Sequence, residues 1–378
     1  MIGTDITDRL PTMLADLEDL VTCESPSSDL AAVAASADRV ARVGTARLGA
    51  APEYVVIEGR THLRWRLGNG PSPILLLGHH DTVWPIGSLA RHPFSHDDGV
   101  VRGPGCFDMK AGLVMAFHAV AALSDRSSVT LLITGDEELG SPSSRELIEA
   151  EAAGCVAALL LEASGDGGAL KVERKGVSNY ELRIRGRAAH AGLEPELGVN
   201  ASVEAAHQIL RINELGNADH GTTVTPTHLT AGTTQNTVPG EAALLVDVRV
   251  RDLTEQQRID AALRDLRPVL TDAELNLLGG PNRPPLTRAA SDQLFRRASK
   301  LAAKLGLPRL RAASVGGGSD GNFTAGIGTP TLDGLGAVGG GAHGDDEHVV
   351  VAMLLPRTAL LTALIADLAH PVDAAGTP

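Results

Sequence analysis

Two Trp, two Tyr and five Phe are all the aromatic side chains in this 378-residue sequence. A core must therefore be built from Ala, Val, Leu and Ile. Cysteine is nearly as scarce. Cys23, Cys106 and Cys155 are odd in number and far apart, so neither a disulfide framework nor a CxxC zinc pattern is present, which fits a reducing compartment. Cys106 reads as a small buried thiol. A basic excess is missing too. Lys plus Arg number 33 against 46 Asp plus Glu, for a formal net charge of −13. That balance argues against a nucleic-acid partner, although a local arginine pocket can still take an acidic substrate. The opening "MIGTDITDRLPTML" has no basic start followed by an apolar stretch, so no signal peptide is expected. No apolar run is read as approaching the roughly 20 residues of a membrane span. The expectation is a cytoplasmic protein without nucleic-acid or membrane partners.

What is present is an alternation. Helical spacing marks Leu14, Leu17, Leu20 and Val21, then Leu30, Val33, Ala37, Val40 and Ala41. Strand-like "EYVVI", the alternating Leu63-Trp65-Leu67 and the apolar "ILLLG" follow. Next come the helix "AGLVMAFHAVAAL", the strand "VTLLIT", a helix near "SSRELIEAEAA" and the strand "VAALLLE". Strands alternating with helices predict a mostly parallel sheet. After Lys175 the pattern changes. "SNYELRIRG", "TTVTPTHLT" and "EAALLVDVRV" alternate with period two around the amphipathic helices "ASVEAAHQILRI" and "TEQQRIDAALRDL", and "AELNLL" adds a strand. That is a small α+β layer with helices on one side. "GGPNRPP" reads as its closing boundary, after which the first style resumes. The expected fold class is α/β: a mostly parallel-sheet domain at 1–175 and 286–378, interrupted by a smaller α+β domain at 176–285. The closing "GTP" reads as a loose tail.

Chemistry-bearing residues stand at the ends of the expected strands. "ILLLGHHDTV" ends in His79 and Asp81; "RGPGCFDMKAG" puts Asp108 in a turn before a helix. "ITGDEELGS" places Asp136, Glu137 and Glu138 after a strand, "LLLEAS" does so for Glu162, and "GGGAHGDDEH" adds His343. Alone, a GHxD string is more often a structural loop, and a Glu-Glu pair is more often solvated surface. Position changes that balance, because the carboxyl ends of parallel strands are where ligands sit. Carboxylates converging there repel unless cations hold them. Imidazole and carboxylate donors without thiolates suit Zn²⁺, with Mn²⁺ or Co²⁺ as substitutes. Adjacent Glu137 and Glu138 leave the strand in different directions, so one can bind metal while the other takes a proton from water.

The motifs GHHDTV, RGPGCFDMKAG, GDEELGS, LLLE, GRAAHAG, QNTVPG, GGGSDGN and GAHGDDE run in this order over residues 74–348. As a set they resemble the co-catalytic di-zinc peptidase family of bacterial glutamate carboxypeptidase, acetylornithine deacetylase and succinyl-diaminopimelate desuccinylase. The resemblance implies a catalytic domain with an inserted lid that mediates homodimerisation. It implies one zinc on His79 and Glu162, a second on Glu138 and His343, and Asp108 bridging both. Glu137 would be the general base, Asp81 would orient the His79 ring, and the Asp108–Met109 peptide would be cis. His190, in GRAAHAG, would reach the active site of the opposite subunit.

Arg249 and Arg283 match family positions that recognise a substrate carboxylate, for which a guanidinium fork is suited. Asn236 matches a lid asparagine that contacts substrate. The run Gly316 to Phe323 either presents N–H groups to an anion or is a plain tight loop. Glu162 and the wording "GTPTLDGLGAVGGGAH" lean toward the glutamate-carboxypeptidase branch. The resemblance thus implies hydrolysis of an amide or peptide bond that releases a C-terminal amino acid, glutamate or another acidic residue. An N-acyl amino-acid deacylase or desuccinylase with the same metals is the alternative, and a metal-free binding protein for peptides or amino acids the third reading. His80 and His118 are expected to pack or hydrogen-bond, and His92, His96, His207, His220, His228 and His370 to lie on the surface.

Overall fold

A computed structural model describes residues 9–370, so the "GTP" tail lies outside the described residues. The described residues fall into two compact units, one within Met1–Glu173, Thr287–Val315 and Ser319–Pro378, the other within Arg174–Leu286 and Gly316–Gly318.

The first unit begins with helices α1 (Leu10–Val21) and α2 (Leu30–Leu48). The Asp29 carboxylate starts α2 by accepting the N–H groups of Ala31 and Ala32, and Gly49 ends it in the left-handed region. The hairpin β1 (Glu53–Ile57) and β2 (Arg60–Arg66) leads to β3 (Ile74–His79). Helix α3 (Ala111–Ala121), strand β4 (Val129–Thr134), helix α4 (Arg145–Ala152) and strand β5 (Ala157–Leu160) complete this stretch. In the sheet the order is β1-β2-β4-β3-β5, with the short strand Thr331–Leu332 beside β5. Strands β4, β3, β5 and Thr331–Leu332 are parallel, while β1 and β2 add an antiparallel edge. This is the mixed α/β fold with a mostly parallel central sheet that the alternation predicts.

Strand β3 explains its own continuous apolar run. Ile74 and Leu76 join Trp65, Phe117 and Met13 in one core cluster, whereas Leu75 and Leu77 join Leu132, Ile148 and Phe323 in another. Both faces are covered, so no position can be polar, and each buried aliphatic contributes about 1.5–3 kcal/mol. The few aromatics concentrate here, with Trp65 and Phe117 edge-to-face at 5.5 Å. Helices α1, α2 and α3 are tied together at Asp16, which accepts from Arg47 Nε and Nη2, each at 2.7 Å, and bonds His118 Nε2 at 2.8 Å.

The second unit holds β6 (Gly176–Arg185), α5 (Ala201–Asn213), β7 (Thr223–Ala231), β8 (Glu241–Val250), α6 (Leu253–Arg264) and β9 (Glu274–Arg283). Its sheet is wholly antiparallel, in the order β7-β8-β6-β9. Period two in β8 buries Ala242, Leu244, Val246, Val248 and Val250, which share a core with Ala205 and Ile212 of α5 and Ile259 and Leu263 of α6. The second unit ends at Leu286, directly after "GGPNRPP", apart from Gly316–Gly318, and β9 runs through the first part of that string to Arg283, with Gly279 at φ 83° and a register shift between Pro281 and Arg283. The glycines there keep the ladder while bending it.

The chain returns to the first unit with α7 (Arg288–Lys304) and α8 (Leu354–Ala369). The stretch Val351–Ala369 corrects the reading that no run approaches membrane length: it has 19 residues and a mean hydropathy of 1.6. Its apolarity belongs to the core, since Leu361, Leu364 and Ile365 are fully buried, and Arg357 donates to the carbonyls of Gly168, Gly334 and Gly336. A small antiparallel sheet, Gly339–Gly340, His348–Val350, Val100–Arg102 and Ser95–Asp97 in that order, was not legible in the sequence, its strands being two or three residues long.

Candidate metal centre

Register brings the strand ends level. His79 pairs with Thr134 across β3 and β4, and Leu77 with Leu160 across β3 and β5. Glu137 and Glu138 follow β4 in a 3₁₀ turn, and Glu162 stands two residues past β5. Asp108 comes from the turn Cys106–Lys110 that precedes α3, and the Asp108–Met109 peptide is cis, as the resemblance implies. Two glycines let that turn sit on the strand ends: a Cβ on Gly112 would lie 2.0 Å from the Leu161 carbonyl oxygen, and one on Gly78 2.7 Å from Met109 Cε. His343 lies in the hairpin between Gly339–Gly340 and His348–Val350, at φ 64°. For a non-glycine residue that left-handed conformation is strained by about 1–2 kcal/mol.

These side chains meet. His79 Nε2 is 3.4 Å from Glu162 Oε1 and 3.5 Å from Asp108 Oδ1. His343 Nε2 is 3.2 Å from Glu138 Oε1 and 3.4 Å from Asp108 Oδ2. Asp108 thus offers one oxygen to each imidazole. Ligand atoms of His79, Asp108 and Glu138 lie within 4.8 Å of one another, as do those of His79, Glu137 and Glu162. Burial alone would lower the His79 ring, but hydrogen bonds to Asp108, Asp81 and Glu162 hold it well above its ordinary range. Contacts with Asp108 and Glu138 push His343 up to about 10. Burial favours a protonated Asp108, yet bonds to His343 and His79 outweigh it and hold the carboxyl far down. Burial raises Glu138.

The donor set fits divalent metal. Two imidazoles stand among clustered carboxylates, and the partners of Asp108 and Glu138 are those same rings, which supply positive charge only when protonated. Divalent cations replace those protons with more charge on the same atoms. No thiol joins the set: Cys106 is fully buried with its Sγ toward the Val101 carbonyl, and burial pushes it up, as expected of a structural thiol.

Behind these residues lie supports that sequence reasoning found only in part. His79 Nδ1 bonds the Asp81 main-chain oxygen at 2.9 Å, with the Asp81 carboxylate at 3.4 Å, so ring orientation comes first from the backbone. The Asp81 carboxylate also accepts the N–H groups of Glu137 and Glu138 and the Ser27 hydroxyl. Asp136 accepts from the N–H and hydroxyl groups of Ser143 and Ser144. Buried Lys110 donates to the Cys23 carbonyl at 2.8 Å, and burial brings it down to about 8. Glu347 was missed; buried acids beside a glycine loop carry no signal distinct from its solvated neighbours Asp345 and Asp346.

The remaining expected site residues belong to the second unit. His190 is exposed, and its Nδ1 accepts the N–H groups of Gly192 and Leu193, each at 3.1 Å, which leaves the proton on Nε2. Asn236 adjoins it, its main-chain carbonyl accepting from Ala191 N–H at 2.9 Å. Arg249 is engaged through Nε and Nη2 by Asp247 of its own strand. Arg283 is buried, and its carbonyl accepts from Gln256. The Gly316–Phe323 run is no open anion cradle at its second half: the N–H groups of Ser319, Gly321, Asn322 and Phe323 bond within the turn. His80 and His118 are buried and hydrogen-bonded as expected. His92 is only half-exposed, 3.2 Å from Asp345 and tilted against Trp84 at 5.2 Å.

The chain is 30% identical to carboxypeptidase G2 of Pseudomonas sp. (strain RS-16), over 96% of this chain and 90% of that one. It is 33% identical to a succinyl-diaminopimelate desuccinylase of Leptothrix cholodnii, over 92% and 96% respectively. An M20 family metallo-carboxypeptidase from Sulfolobus solfataricus shares the fold with a TM-score of 0.73 at 16% identity, covering 96% of this chain and 99% of that one. The sequence pattern of Peptidase family M20/M25/M40 spans residues 75–367. With its strand-end histidines and carboxylates in place, this chain belongs to that family of hydrolases.

Proposed function

We propose that the protein is a di-zinc carboxypeptidase, hydrolysing an amide or peptide bond to release a C-terminal amino acid, glutamate or another acidic residue. The carrying observation is Asp108, with one oxygen toward His79 and the other toward His343. His79 and Glu162 would hold one cation, Glu138 and His343 the other, and Asp108 both. Bound there, two Zn²⁺ ions (or Mn²⁺ or Co²⁺) would supply Lewis acidity to the scissile carbonyl and acidify water. Glu137 takes the proton from the attacking water and passes it to the leaving nitrogen. The turn bearing it is fixed by Asp81, so the carboxylate needs little reorganisation.

In this reading the second unit is a lid that also forms a homodimer, and His190 of one subunit serves the other's site. Its Nε2–H is a donor suited to the developing oxyanion. Arg249 and Arg283 take the substrate's terminal carboxylate, with Asn236 beside it; for Arg249 this means exchanging Asp247 for substrate. Substrates are small peptides or N-acyl amino acids. The similarity to a desuccinylase supports a second reading, N-acyl amino-acid deacylation with the same residues. Hydrolysis of N-acyl glutamates, N-acetylornithine and N-succinyl-diaminopimelate, with metal analysis on the same preparation, tests both. Preference for the glutamates supports the carboxypeptidase, preference for either other substrate supports the deacylase, and full activity without metal overturns both.

A further inference from the structure

Glu347 lies four residues beyond His343, yet it is bonded chiefly to the turn that carries Asp108. Only 3% of it is exposed. Its Oε1 accepts the N–H groups of Phe107 at 2.9 Å and Asp108 at 3.0 Å; its Oε2 accepts Gly105 N–H at 2.9 Å and the Trp84 indole Nε1–H at 2.7 Å. Four donors converge on one side chain, three of them from the main chain of a single turn. Burial pushes the carboxyl up, and these donors oppose that. The same residue closes the hairpin of His343, whose return strand His348–Val350 pairs with Gly339–Gly340 and with Val100–Arg102. One side chain therefore links the segments that supply Asp108 and His343, whose Oδ2 and Nε2 atoms stand 3.4 Å apart.

We propose that Glu347 is a positioning residue for metal binding: by clamping the Asp108 turn to the His343 hairpin it sets the separation of these two ligands. The inference rests on the metal reading above. Its chemistry requires a carboxylate. All four partners are donors, so a neutral amide of the same shape would turn its NH₂ group toward two N–H groups whichever way it lay. A loop stabiliser without this role would affect melting alone. A positioning residue affects the cation that Asp108 and His343 share, because partners that orient ligands govern metal affinity about 10–100-fold.

The test is chelator-competition titration of Zn²⁺ into metal-free parent, Glu347→Gln, Glu347→Asp and Trp84→Phe proteins, with melting of the metal-free forms and absorption spectra of the Co²⁺ forms. Glu347→Gln should weaken one equivalent of zinc about 10–100-fold and alter the Co²⁺ spectrum. Glu347→Asp keeps the charge but falls one methylene short, and should recover part of the loss. Trp84→Phe removes one donor of four and should weaken the same equivalent least. Parent-like zinc affinity in Glu347→Gln overturns the inference, even if its melting temperature falls. If Glu347→Gln does not fold, parent-like affinity in both Glu347→Asp and Trp84→Phe overturns it instead. A parent that takes up no zinc overturns the metal reading first and this inference with it, which separates the two failures.

Discussion

The main-chain N–H of Glu137 donates to Oδ1 of Asp81 at 3.2 Å. The neighbouring N–H of Glu138 donates to Oδ2 at the same distance, and the Ser27 hydroxyl to Oδ2 at 2.7 Å. One fully buried carboxylate thus fixes the turn carrying both the proposed base and a proposed ligand, while the main-chain carbonyl of Asp81 bonds the His79 ring. Asp81→Asn keeps the shape but turns an NH₂ group toward one set of donors. Zinc affinity and kcat/KM are both expected to fall, by about 10–100-fold. Chelator competition and steady-state kinetics on the same preparation check this, and a parent-like pair of values would remove Asp81 from the support of the site.

Glu137→Gln separates the proposed base from the ligands. Metal content should stay near the parent's, since both histidines and the carboxylates Asp108, Glu138 and Glu162 are untouched. Removing a general base lowers the rate about 10²–10⁴-fold. Metal analysis beside kcat is the check. A variant that loses metal with activity would make Glu137 a ligand, a reading left open by its lying within 4.8 Å of His79 and Glu162 ligand atoms.

Metal uptake should depend on pH with a definite sign. Without metal, Asp108 and Glu138 push His343 up to about 10, so its ring holds a proton at neutral pH and must lose it to become a ligand. Apparent zinc affinity is expected to rise from about pH 6 to about pH 8, with protons released on binding. The metal-free fold runs the other way. A raised folded pKa stabilises fully below the unfolded value of about 6.5 and loses that contribution as pH rises through about 10. Metal-free melting temperature should therefore drift down over this window, and added zinc should reverse the drift. Calorimetric titration in two buffers of different ionisation enthalpy measures the released protons; a count of zero would refute the exchange.

Much of this was legible in the sequence, for identifiable reasons. The run Ile74–Leu77 reads as a strand covered on both faces, and β8 wrote its one-sided burial in alternate residues. Those two periods separate parallel from antiparallel layers without any coordinates. His79, Glu137, Glu138 and Glu162 were found because each stands at the end of a strand or within four residues beyond one, where register brings the strand ends level. Glu347 was not, because three of its four partners are main-chain N–H groups of a turn 239 to 242 residues away in sequence, and main-chain donors leave no mark on residue type. The same holds for β9, where "GGPNR" shows the letters of a break while the backbone keeps its ladder through two left-handed glycines. Arg249 illustrates a third limit: its alternative partner, Asp247, sits two residues away on the same face of β8.

Asp16 offers a stability test away from the metal centre. Burial would raise its carboxyl, but bonds from His118 and Arg47 outweigh that and leave it below its ordinary range. A depressed folded pKa stabilises above the unfolded value of about 3.9, and the contribution is lost as pH falls through the folded value. Asp16→Ala strips three helices of their shared anchor, at a cost of about 3 kcal/mol for a broken buried pair. Urea melts at neutral pH should show that loss, and the gap between parent and variant should narrow below about pH 4. A gap that stayed constant into acid would mean that packing, not charge, accounts for the effect.

Sharing of the site between subunits is testable by mixing. His190→Ala and Glu137→Gln should each be nearly inactive alone, for different reasons: one lacks the proposed oxyanion donor, the other the proposed base. In a heterodimer where His190 serves the partner's site, both lesions fall on one active site, and the other site receives an intact Glu137 and an intact His190. Co-refolded mixtures should then recover up to about a quarter of parental activity, since half of randomly paired dimers are mixed and each carries one complete site of two. If His190 instead served its own subunit's site, every site would carry one lesion and no mixture would recover activity. Native mass spectrometry of differently tagged subunits confirms the mixed dimer, so that an absence of recovery counts against sharing rather than against pairing.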